Sequence, residues 1–445
     1  MSQRKLHLNI NILNSGFYAS AWRHPSSAPN AFVDVQHYVR TAKIAERAAF
    51  DAVFLADTPS FADRPEYKPY QSLEPTIVLA NIGAATERIG LIATASTTYN
   101  DPYNIARRYA TLDLATGGRV GWNAVTTADP SASHNFGFDH ALAHSERYER
   151  AAEFCEVAKQ LWDSWEDDAL IGDKASARFI DLDRVHAARH EGRYFKVRGP
   201  LNVPRSPQGQ PVLVQAGGSD DGRNLAARHA EVIFSVAHTQ EEALAFASDI
   251  RARARKFGRR GPIVFLPGIG TMLASTEAEV KRREEELWEL LPIELGLGRL
   301  AGVLQIDVAR LSPDEKFPDI ELPPQGMQTF AGAALQIARR DGLTVRQLLR
   351  KLGGSTGHRL FIGTPEGIAD DIERWFLSGA ADGFNLMPDV LTDGLEMFVD
   401  HVVPLLRRKG IFRHEYAGRT LRDHFGIARP NNRLTTRDHT VAPAA

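Results

Sequence analysis

The chain has 445 residues and a net charge of −2, with 53 basic and 55 acidic residues. This near-neutral charge argues against a dedicated nucleic-acid binder, and the single cysteine excludes an internal disulfide framework or a multi-cysteine metal site. No apolar run approaches the roughly 18 residues of a membrane span. Polar residues also interrupt the first apolar run, where a secretory signal would be continuous. We therefore expect a cytoplasmic enzyme without membrane contact.

Short β-branched runs alternate with stretches of helical period along most of the chain. Predicted strands lie near residues 6, 52, 89, 119, 212, 231, 263 and 384. The predicted helices are Val35–Phe50, Glu74–Thr86, Asn104–Leu114, Ser145–Trp165 with Ser145 as its cap, Asp220–His229, Thr239–Phe257, Thr276–Leu291, Thr364–Ser378 and Leu395–Lys409 with a kink or break at Pro404.

Eight strands that alternate with helices predict a parallel sheet, and eight such units favour a closed (β/α)8 barrel. A barrel needs ~250 residues, so the remainder must form insertions. We place these near residues 166–210 and 292–358 within a single domain spanning 1–425. The second insertion should be a loop followed by two short helices, and residues 426–445 should form a polar C-terminal arm.

In such barrels the chemistry lies at the carboxyl ends of the strands. This rule selects Asp57 and Thr58 after the second strand and residues 94–98 after the third. It also selects residues 123–127 after the fourth strand and 217–219 after the fifth. Small and polar side chains dominate these positions.

The segment Gln215-Ala-Gly-Gly-Ser-Asp-Asp-Gly-Arg223 links a strand to a helix. Two glycines and a helix N-terminus predict a phosphate site, because backbone amides can approach the anion there. Asp220 and Asp221 would repel phosphate unless they point away, and Arg223 could offset them. An ordinary capped helix with acidic first-turn residues explains the same pattern equally well.

Two further motifs point to other chemistries. Gly353-Gly-Ser-Thr-Gly357 matches the serine-hydrolase string G-x-S-x-G, but a helical pattern precedes it and an extended run follows, which reverses the order that the motif needs. The pairs His140/His144 and His186/His190 have helical spacing, yet both lack the glutamate and the third ligand of a zinc site. We expect neither a nucleophilic serine nor a metal.

A set of strings occurs in order between about residues 5 and 425 and resembles the bacterial luciferase-like flavin monooxygenases. The closest resemblance is to the group of nitrilotriacetate monooxygenase component A, dibenzothiophene sulfone monooxygenase and long-chain alkane monooxygenase. The strings are Phe54-Leu-Ala-Asp57, Tyr103-Asn-Ile-Ala-Arg-Arg108, Gly118-Arg-Val-Gly-Trp-Asn-Ala-Val-Thr-Thr127, Asn135-Phe-Gly137, His144-Ser-Glu-Arg-Tyr148, Gln215-Ala-Gly-Gly-Ser219 and Asp382-Gly-Phe-Asn-Leu386.

This resemblance implies the oxygenase component of a two-component system that takes reduced FMN from a separate flavin reductase. The family forms a flavin C4a-peroxide with O2 and inserts one oxygen atom into a small organosulfur, amine-polycarboxylate or alkane-like substrate. The insertion at 292–358 would then be a lid that excludes water. Relatives suggest a homodimer or homotetramer.

Carried over by position, the flavin contacts implied by the resemblance are Asp57, Thr94, His144, Tyr148 and Ser219. The nucleotide phosphate would lie at Tyr148 and Ser219, and the ribityl chain and ring nearer Asp57 and Thr94. Asn123 would also approach the flavin.

Some relatives have a histidine where this chain has Ala128, so the proton donor stays unassigned. His24 is a candidate for it, with a structural role as the alternative. Two alternative functions stay open, a deazaflavin-dependent dehydrogenase of the same fold and a non-catalytic flavin-binding protein.

Overall fold

The computed structural model describes residues 4–61, 67, 69, 73–127, 129–323, 328–352 and 357–435. Eight parallel strands form a closed barrel, since β1 pairs with both β2 and β8, and β6 pairs with β7. The predicted (β/α)8 barrel and its eight strands are confirmed. The strands are β1 (His7–Asn11), β2 (Ala52–Leu55), β3 (Gly90–Ser96), β4 (Val120–Val125), β5 (Val212–Gln215), β6 (Val232–Ser235), β7 (Val264–Leu273) and β8 (Gly383–Pro388).

Alternation along each strand sends one set of side chains outward to the helices and the other into the barrel. In β2, Val53 and Leu55 pack with the helical layer, while Ala52 and Phe54 belong to the interior cluster. Helix α15 (Leu421–Phe425) contributes Leu421 to the same interior cluster and closes the amino end of the barrel. The carboxyl end is therefore the end at which a ligand can enter.

The barrel is surrounded by helices whose bounds agree with most of the predicted ones. No helix in the described part of the chain has the length and apolar character needed to cross a bilayer. The α-helices that precede α15 in the chain are α1 (Val35–Arg47), α2 (Pro75–Ala85), α3 (Pro102–Ala115), α4 (Pro130–Asn135), α5 (His144–Trp162), α6 (Asp220–His229), α7 (Gln240–Lys256), α8 (Glu277–Glu289), α9 (Ile293–Leu304), α10 (Gln328–Asp341), α11 (Val345–Lys351), α12 (Pro365–Leu377), α13 (Asp393–Met397) and α14 (Val403–Arg408).

One predicted helix cap was wrong, and one predicted helix is interrupted near its proline. Ser145 does not cap α5, because the helix already begins at His144 and its N-cap residue, Ala143, makes no side-chain bond. The helix predicted over 395–409 is divided into α13, a π-helical turn at Phe398–Val402, and α14. Pro404 follows this turn as the second residue of α14, so the interruption lies next to the proline.

The second insertion contains a helix that the sequence pattern did not reveal. Residues Ile293–Leu304 form α9, although its glycines lower helix propensity and we expected a loop. Leu300, Ala301 and Leu304 are buried in a cluster with α10 and α11 that is separate from the barrel core. Tertiary burial therefore decides this helix. We call α9, α10 and α11 the lid helices.

A ninth strand, Arg359–Gly363, follows the lid helices and pairs with the second half of β7. The first insertion forms two small antiparallel pairs, Leu170–Asp173 with Arg178–Ile180 and His190–Glu191 with Lys196–Val197. These additions lie outside the closed ring of eight strands.

The chain after α15 runs back along the base of the first insertion. Arg429 forms an ion pair with Asp167, and the amide of Asn432 donates to the carbonyl oxygens of Asp163 (2.9 Å) and Trp165 (2.7 Å). Residues 427–435 are thus bound to the body of the protein as an extended arm.

Candidate functional site

The five predicted contact residues lie at the carboxyl end of the barrel in two groups. His144 and Tyr148 stand one turn apart at the start of α5 with ring centroids 4.9 Å apart, and Ser219 is the N-cap of α6. Asp57 follows β2, which pairs in register with β3, the strand that carries Thr94. Thr94 was expected after its strand but lies inside it, because β3 continues to Ser96.

The hydroxyl groups of Tyr148 and Ser219 converge on one glycine, Gly222. Each oxygen lies 3.2 Å from the position that a Cβ atom would take on Gly222. Ser219 Oγ also accepts a hydrogen bond from the Gly222 amide at 3.2 Å, as a helix cap does. Two hydroxyls thus approach the backbone of Gly222 closely at the positive end of a ten-residue helix, where a side chain would crowd both of them. We call Tyr148, Ser219 and Gly222 the Ser219 site.

The acidic residues beside the Ser219 site both have side-chain partners. Asp221 Oδ2 lies 3.0 Å from His144 Nδ1, and Asp220 forms a 2.6 Å ion pair with Arg253. The repulsion considered for Asp220 and Asp221 is therefore reduced, since each carboxylate has a partner of its own. His144 thereby contacts the first turn of α6.

The loop before Ser219 is held by Arg223. Its Nε donates to the Gly218 carbonyl oxygen at 2.9 Å, and Nη1 pairs with Asp249 at 3.0 Å. The guanidinium of Arg223 thus positions the glycine loop instead of standing free toward a ligand.

Four asparagine side chains line the barrel interior. Asn9 pairs in register with both Ala52 and Asn385, and Asn11 with Phe54, so all three amides share the interior side of the sheet. Asn123 completes the set, which we call the lumen amides. All four are at most 3% exposed.

The lumen amides have polar atoms without partners among the described residues. These are Oδ1 of Asn9, Asn11 and Asn123, and both amide atoms of Asn385. Asn123 uses its other atom, Nδ2, to donate to Thr94 Oγ1 at 2.9 Å. Buried polar atoms without partners cost free energy, so a polar ligand at this level would satisfy them.

The sequence motifs included Asn123 and Asn385 but did not select Asn9 or Asn11. The alternation Leu8-Asn9-Ile10-Asn11 in the first strand was the available signal. Apolar residues on one side and amides on the other indicate a strand whose inner side is polar.

Asp57 is the titratable group at the edge of the barrel mouth. Burial raises its pKa to about 6, and the nearby negative charge of Glu74 acts in the same direction. Glu74 itself lies 3.7 Å from Arg108, whose charge partly opposes the rise. A carboxyl group with this pKa can hold or release a proton near neutral pH.

A cavity of about 590 Å³ adjoins the Ser219 site on the side of the lid helices. We call it the lid cavity. Its walls come from the loops after β5 and β6, from α7, from α10 and from the residue before the ninth strand. Its lining includes Gly217, Gly218, Ser219, Arg223, Phe234, Ser235, His238, Glu242, Phe246, Leu322, Phe330, Gly332, Ala333, Gln336 and His358.

Other candidate residues have structural partners. His24 Nδ1 is 2.8 Å from Ser26 Oγ, and its Nε2 is 3.8 Å from Glu286 on α8, which favours the structural role. His186 and His190 contact Glu166 and Glu153, respectively, at 2.7 and 3.0 Å. Within the described residues, no group of three or more histidine, cysteine or acidic side chains could hold a metal ion.

The hydrolase-like string ends at Gly357, and its Ser355 lies outside the described residues, as does Ala128. The elements on both sides of the string are described. Helix α11 precedes it and the strand Arg359–Gly363 follows it. The reversed order predicted for this motif is confirmed, and it does not match a nucleophile elbow.

Comparison with known proteins identifies relatives along almost the whole chain. Residues 16–382 match the model of the luciferase-like monooxygenase family. The chain is 43% identical to nitrilotriacetate monooxygenase component A of Aminobacter aminovorans, covering 97% of this chain and 98% of the relative. It is 39% identical to the dibenzothiophene-sulfone monooxygenase of Rhodococcus erythropolis strain XP, covering 96% and 98%.

Solved structures with the same fold include enzymes at comparable identity. EDTA monooxygenase from Chelativorans sp. BNC1 is 39% identical, with a TM-score of 0.79 and coverage of 96% of this chain and 99% of the other. A riboflavin lyase crystallised with a modified FMN and riboflavin is 32% identical, with a TM-score of 0.83 and coverage of 94% and 95%.

Proposed function

Because this chain belongs to the luciferase-like monooxygenase family, we propose that it is the oxygenase component of a two-component, reduced-FMN-dependent monooxygenase. The proposed reaction inserts one oxygen atom of O2 into a small organic substrate. A separate NAD(P)H-dependent flavin reductase would supply the reduced FMN.

The Ser219 site is the observation that carries this proposal. Tyr148 and Ser219 present two hydroxyls beside Gly222, at the N-terminus of α6. A phosphate monoester fits such a site, because helix N-termini and hydroxyl donors stabilise anions. His144 supports the site by contacting Asp221, whose Oδ2 lies 3.0 Å from His144 Nδ1.

The lumen amides and Thr94 fit the polar ring of a flavin. Their buried, unpaired amide atoms would gain hydrogen bonds from a heteroaromatic ring that has both donors and acceptors. When bound, the reduced flavin would supply the electrons that activate O2, with one oxygen atom going to the substrate and one to water.

Asp57 is proposed to hold a proton at its carboxyl group beside the ring. Its partial burial and its pKa of about 6 leave both protonation states accessible near neutral pH. The lid helices are proposed to exclude water from the mouth. Helix α10 is fixed to α7 where Gln336 donates to Glu242 at 2.7 Å.

The reductase partner is supported by the names of relatives that are parts of larger systems. One relative is called component A, and another, 40% identical, is named as one of the subunits of pristinamycin IIA synthase. Relatives are named for organosulfur, amine-polycarboxylate and alkane substrates. The homodimeric or homotetrameric state stays a prediction.

The decisive experiment is a reconstituted reaction with a flavin reductase, NADH, FMN and 18O2, screened over these substrate classes by mass spectrometry. We expect a product that carries one labelled oxygen atom only when flavin, reductase and O2 are all present. Equal turnover without flavin would contradict the proposal. Anaerobic turnover would indicate the dehydrogenase, and flavin binding without any product would indicate the non-catalytic alternative.

A further inference from the structure

We propose that the hairpin of the first insertion is the surface through which two copies of this chain assemble about a twofold axis. The hairpin consists of the strands Leu170–Asp173 and Arg178–Ile180 and continues to Leu182. We call residues 170–182 the insertion hairpin. The inference follows from its exposed apolar side chains, its anchored base, its neutral charge and its area.

Large apolar side chains of the insertion hairpin lie in water. Leu182 is 76% exposed, Phe179 69%, Leu170 48% and Ile171 40%. Side chains of this kind are usually buried, and single exceptions need no explanation. Four of them on one short hairpin form a patch, and exposed apolar patches of this kind mark interaction sites.

The two strands carry apolar side chains on both faces of the hairpin. Leu170 pairs with Ile180, so these two side chains share one face, and alternation along the strands places Ile171 and Phe179 on the other. In the described part of the chain this sheet has two strands only. A lone two-stranded hairpin is marginally stable in water, so both of its faces would gain from a further layer or strand.

The base of the hairpin is anchored to the body of the protein. His186 Nε2 lies 2.7 Å from Glu166 Oε1, and Arg184 forms an ion pair with Asp168. Asn432 of the C-terminal arm donates to the Trp165 carbonyl oxygen at 2.7 Å. These contacts fix the position of the hairpin and leave its apolar side chains exposed, as a preformed docking surface requires.

The charges of the insertion hairpin favour a second copy of itself as the partner. It contains two acidic residues, Asp173 and Asp181, and two basic ones, Lys174 and Arg178, so its net charge is zero. Asp181 pairs with Arg178 at 3.6 Å, and Asp173 accepts a hydrogen bond from the Ala175 amide at 2.9 Å. Such a surface has no net attraction for a strongly charged partner, and two copies of it meet without net repulsion.

A hairpin can also pair with its own copy by symmetry. Each strand of a two-stranded sheet has one edge whose backbone groups lack a ladder partner. Antiparallel pairing of such an edge with the same edge of a second copy creates a twofold axis, so both copies use the same surface. The resulting four-stranded sheet would place the apolar side chains of each face beside their counterparts.

The exposed apolar area is close to what a homodimer needs. A large apolar side chain has roughly 150–250 Å² of surface, so the four exposed fractions correspond to roughly 400–500 Å² per copy. A standard interface buries about 800 Å² per partner, of which about 65% is apolar in homodimers, or about 520 Å². The insertion hairpin thus supplies most of the apolar area of such an interface.

The interface is also separate from the Ser219 site, so its test is independent of the proposed function. Tyr148 lies in the first turns of α5, whereas the hairpin follows the end of this helix at Trp162. The 14 residues between them correspond to about 21 Å of helix. Changes on the hairpin should therefore leave FMN affinity unchanged.

The test is sedimentation velocity of the flavin-free, full-length protein with Phe179→Glu and Leu182→Glu combined. The control is Leu377→Glu, since Leu377 is 67% exposed at the end of α12. We expect the wild-type protein and the control to sediment at twice the 49.2 kDa protomer mass or a higher even multiple. The double variant should have half the wild-type mass, because it places carboxylates at a surface that must lose water.

A second measurement locates the contact. Ile171→Cys adds a thiol to the hairpin, and the native Cys155 does not compete because it is buried, which raises its pKa to about 12. Maleimide should label Cys at position 171 at least about tenfold faster when the double glutamate change is also present, since dissociation exposes the thiol. Leu377→Cys should label at one rate in both backgrounds.

A monomeric wild-type protein would overturn the inference and leave the patch to a different partner. An assembly whose mass the double variant does not change, or which Leu377→Glu also dissociates, would overturn it as well, as would equal labelling rates at position 171. FMN affinity, measured in parallel, separates this inference from the proposed function, because a dimer that binds no FMN would contradict only the latter.

Discussion

Replacing Tyr148 by phenylalanine removes one hydroxyl from the Ser219 site and leaves the rest of the side chain in place. That oxygen lies 3.2 Å from the position of a Cβ atom on Gly222, and no hydrogen bond among the described residues involves it. The hydroxyl therefore has no evident part in holding the fold. If it donates to the flavin phosphate, its loss removes a charge-assisted hydrogen bond of about 1.5–3 kcal/mol.

This free energy corresponds to a rise in the dissociation constant of roughly 10- to 150-fold. The measurement is an anaerobic titration with reduced FMN, together with the melting temperature of the flavin-free protein. Tyr103→Phe is the matched control. Its hydroxyl donates to the Pro200 carbonyl at 3.3 Å on the helical layer, so FMN affinity should not change.

Ser219 provides a second test, although its side chain also caps α6 and so affects stability. Since Ser219 Oγ caps α6, Ser219→Ala should lower both flavin affinity and the free energy of unfolding, the latter by about 1 kcal/mol. Glycine at an N-cap costs only a few tenths of a kcal/mol, so Ser219→Gly should lower affinity similarly with little effect on stability. Unchanged reduced-FMN affinity in Tyr148→Phe and Ser219→Gly would place the phosphate elsewhere and refute this reasoning.

Three further predictions concern the mouth, the lid cavity and the closed end of the barrel. Burial raises the pKa of Asp57 to about 6, so the folded protein binds this proton more tightly than the unfolded chain, and stability falls as pH rises from about 4 to 6. Asp57→Asn should therefore stabilise the flavin-free protein at pH 7.5 by on the order of 1–3 kcal/mol, with the gain vanishing near pH 4 in urea titrations. Gly268→Ala should destabilise by about 1–3 kcal/mol, because a Cβ atom would lie 2.4 Å from His358 Nδ1; an unchanged melting temperature would mean that His358 is free to move. Leu421→Ala should cost about 2–5 kcal/mol by opening a space at the amino end of the barrel, while FMN affinity measured below the melting temperature stays the same. A large loss of FMN affinity in Leu421→Ala would show that the two ends of the barrel are coupled.

Much of the barrel could be predicted because its elements have local signals. All eight barrel strands coincide with the short strand-like runs predicted from the sequence, and Thr364 with Pro365 marked the start of α12 at the correct residue. These signals depend on neighbouring residues only. Helix α9 shows where they fail, since the prolines of its insertion suggested a loop and the burial of Leu300 and Leu304 in the lid favours the helix.

The candidate site shows the same division. Asp57 and Ser219 follow predicted strands, which placed them near the mouth of the barrel. The family resemblance added His144 and Tyr148. The sequence left the effect of Asp220 and Asp221 on a bound phosphate open, because nothing local indicates which side chains they meet. Their partners, Arg253 and His144, come from other helices.

By itself, the amino-acid sequence determined the alternation of strands and helices, and with it the closed barrel and the end at which the site lies. Periodicity and capping are properties of short segments, so they can be read before the chain folds. Only the tertiary structure decided that Tyr148, Ser219 and Gly222 meet, that four asparagines share the barrel interior, and that helix α10 of the lid borders a cavity beside Ser219. Those relations join residues far apart in the chain, and they arise from packing that no single segment encodes.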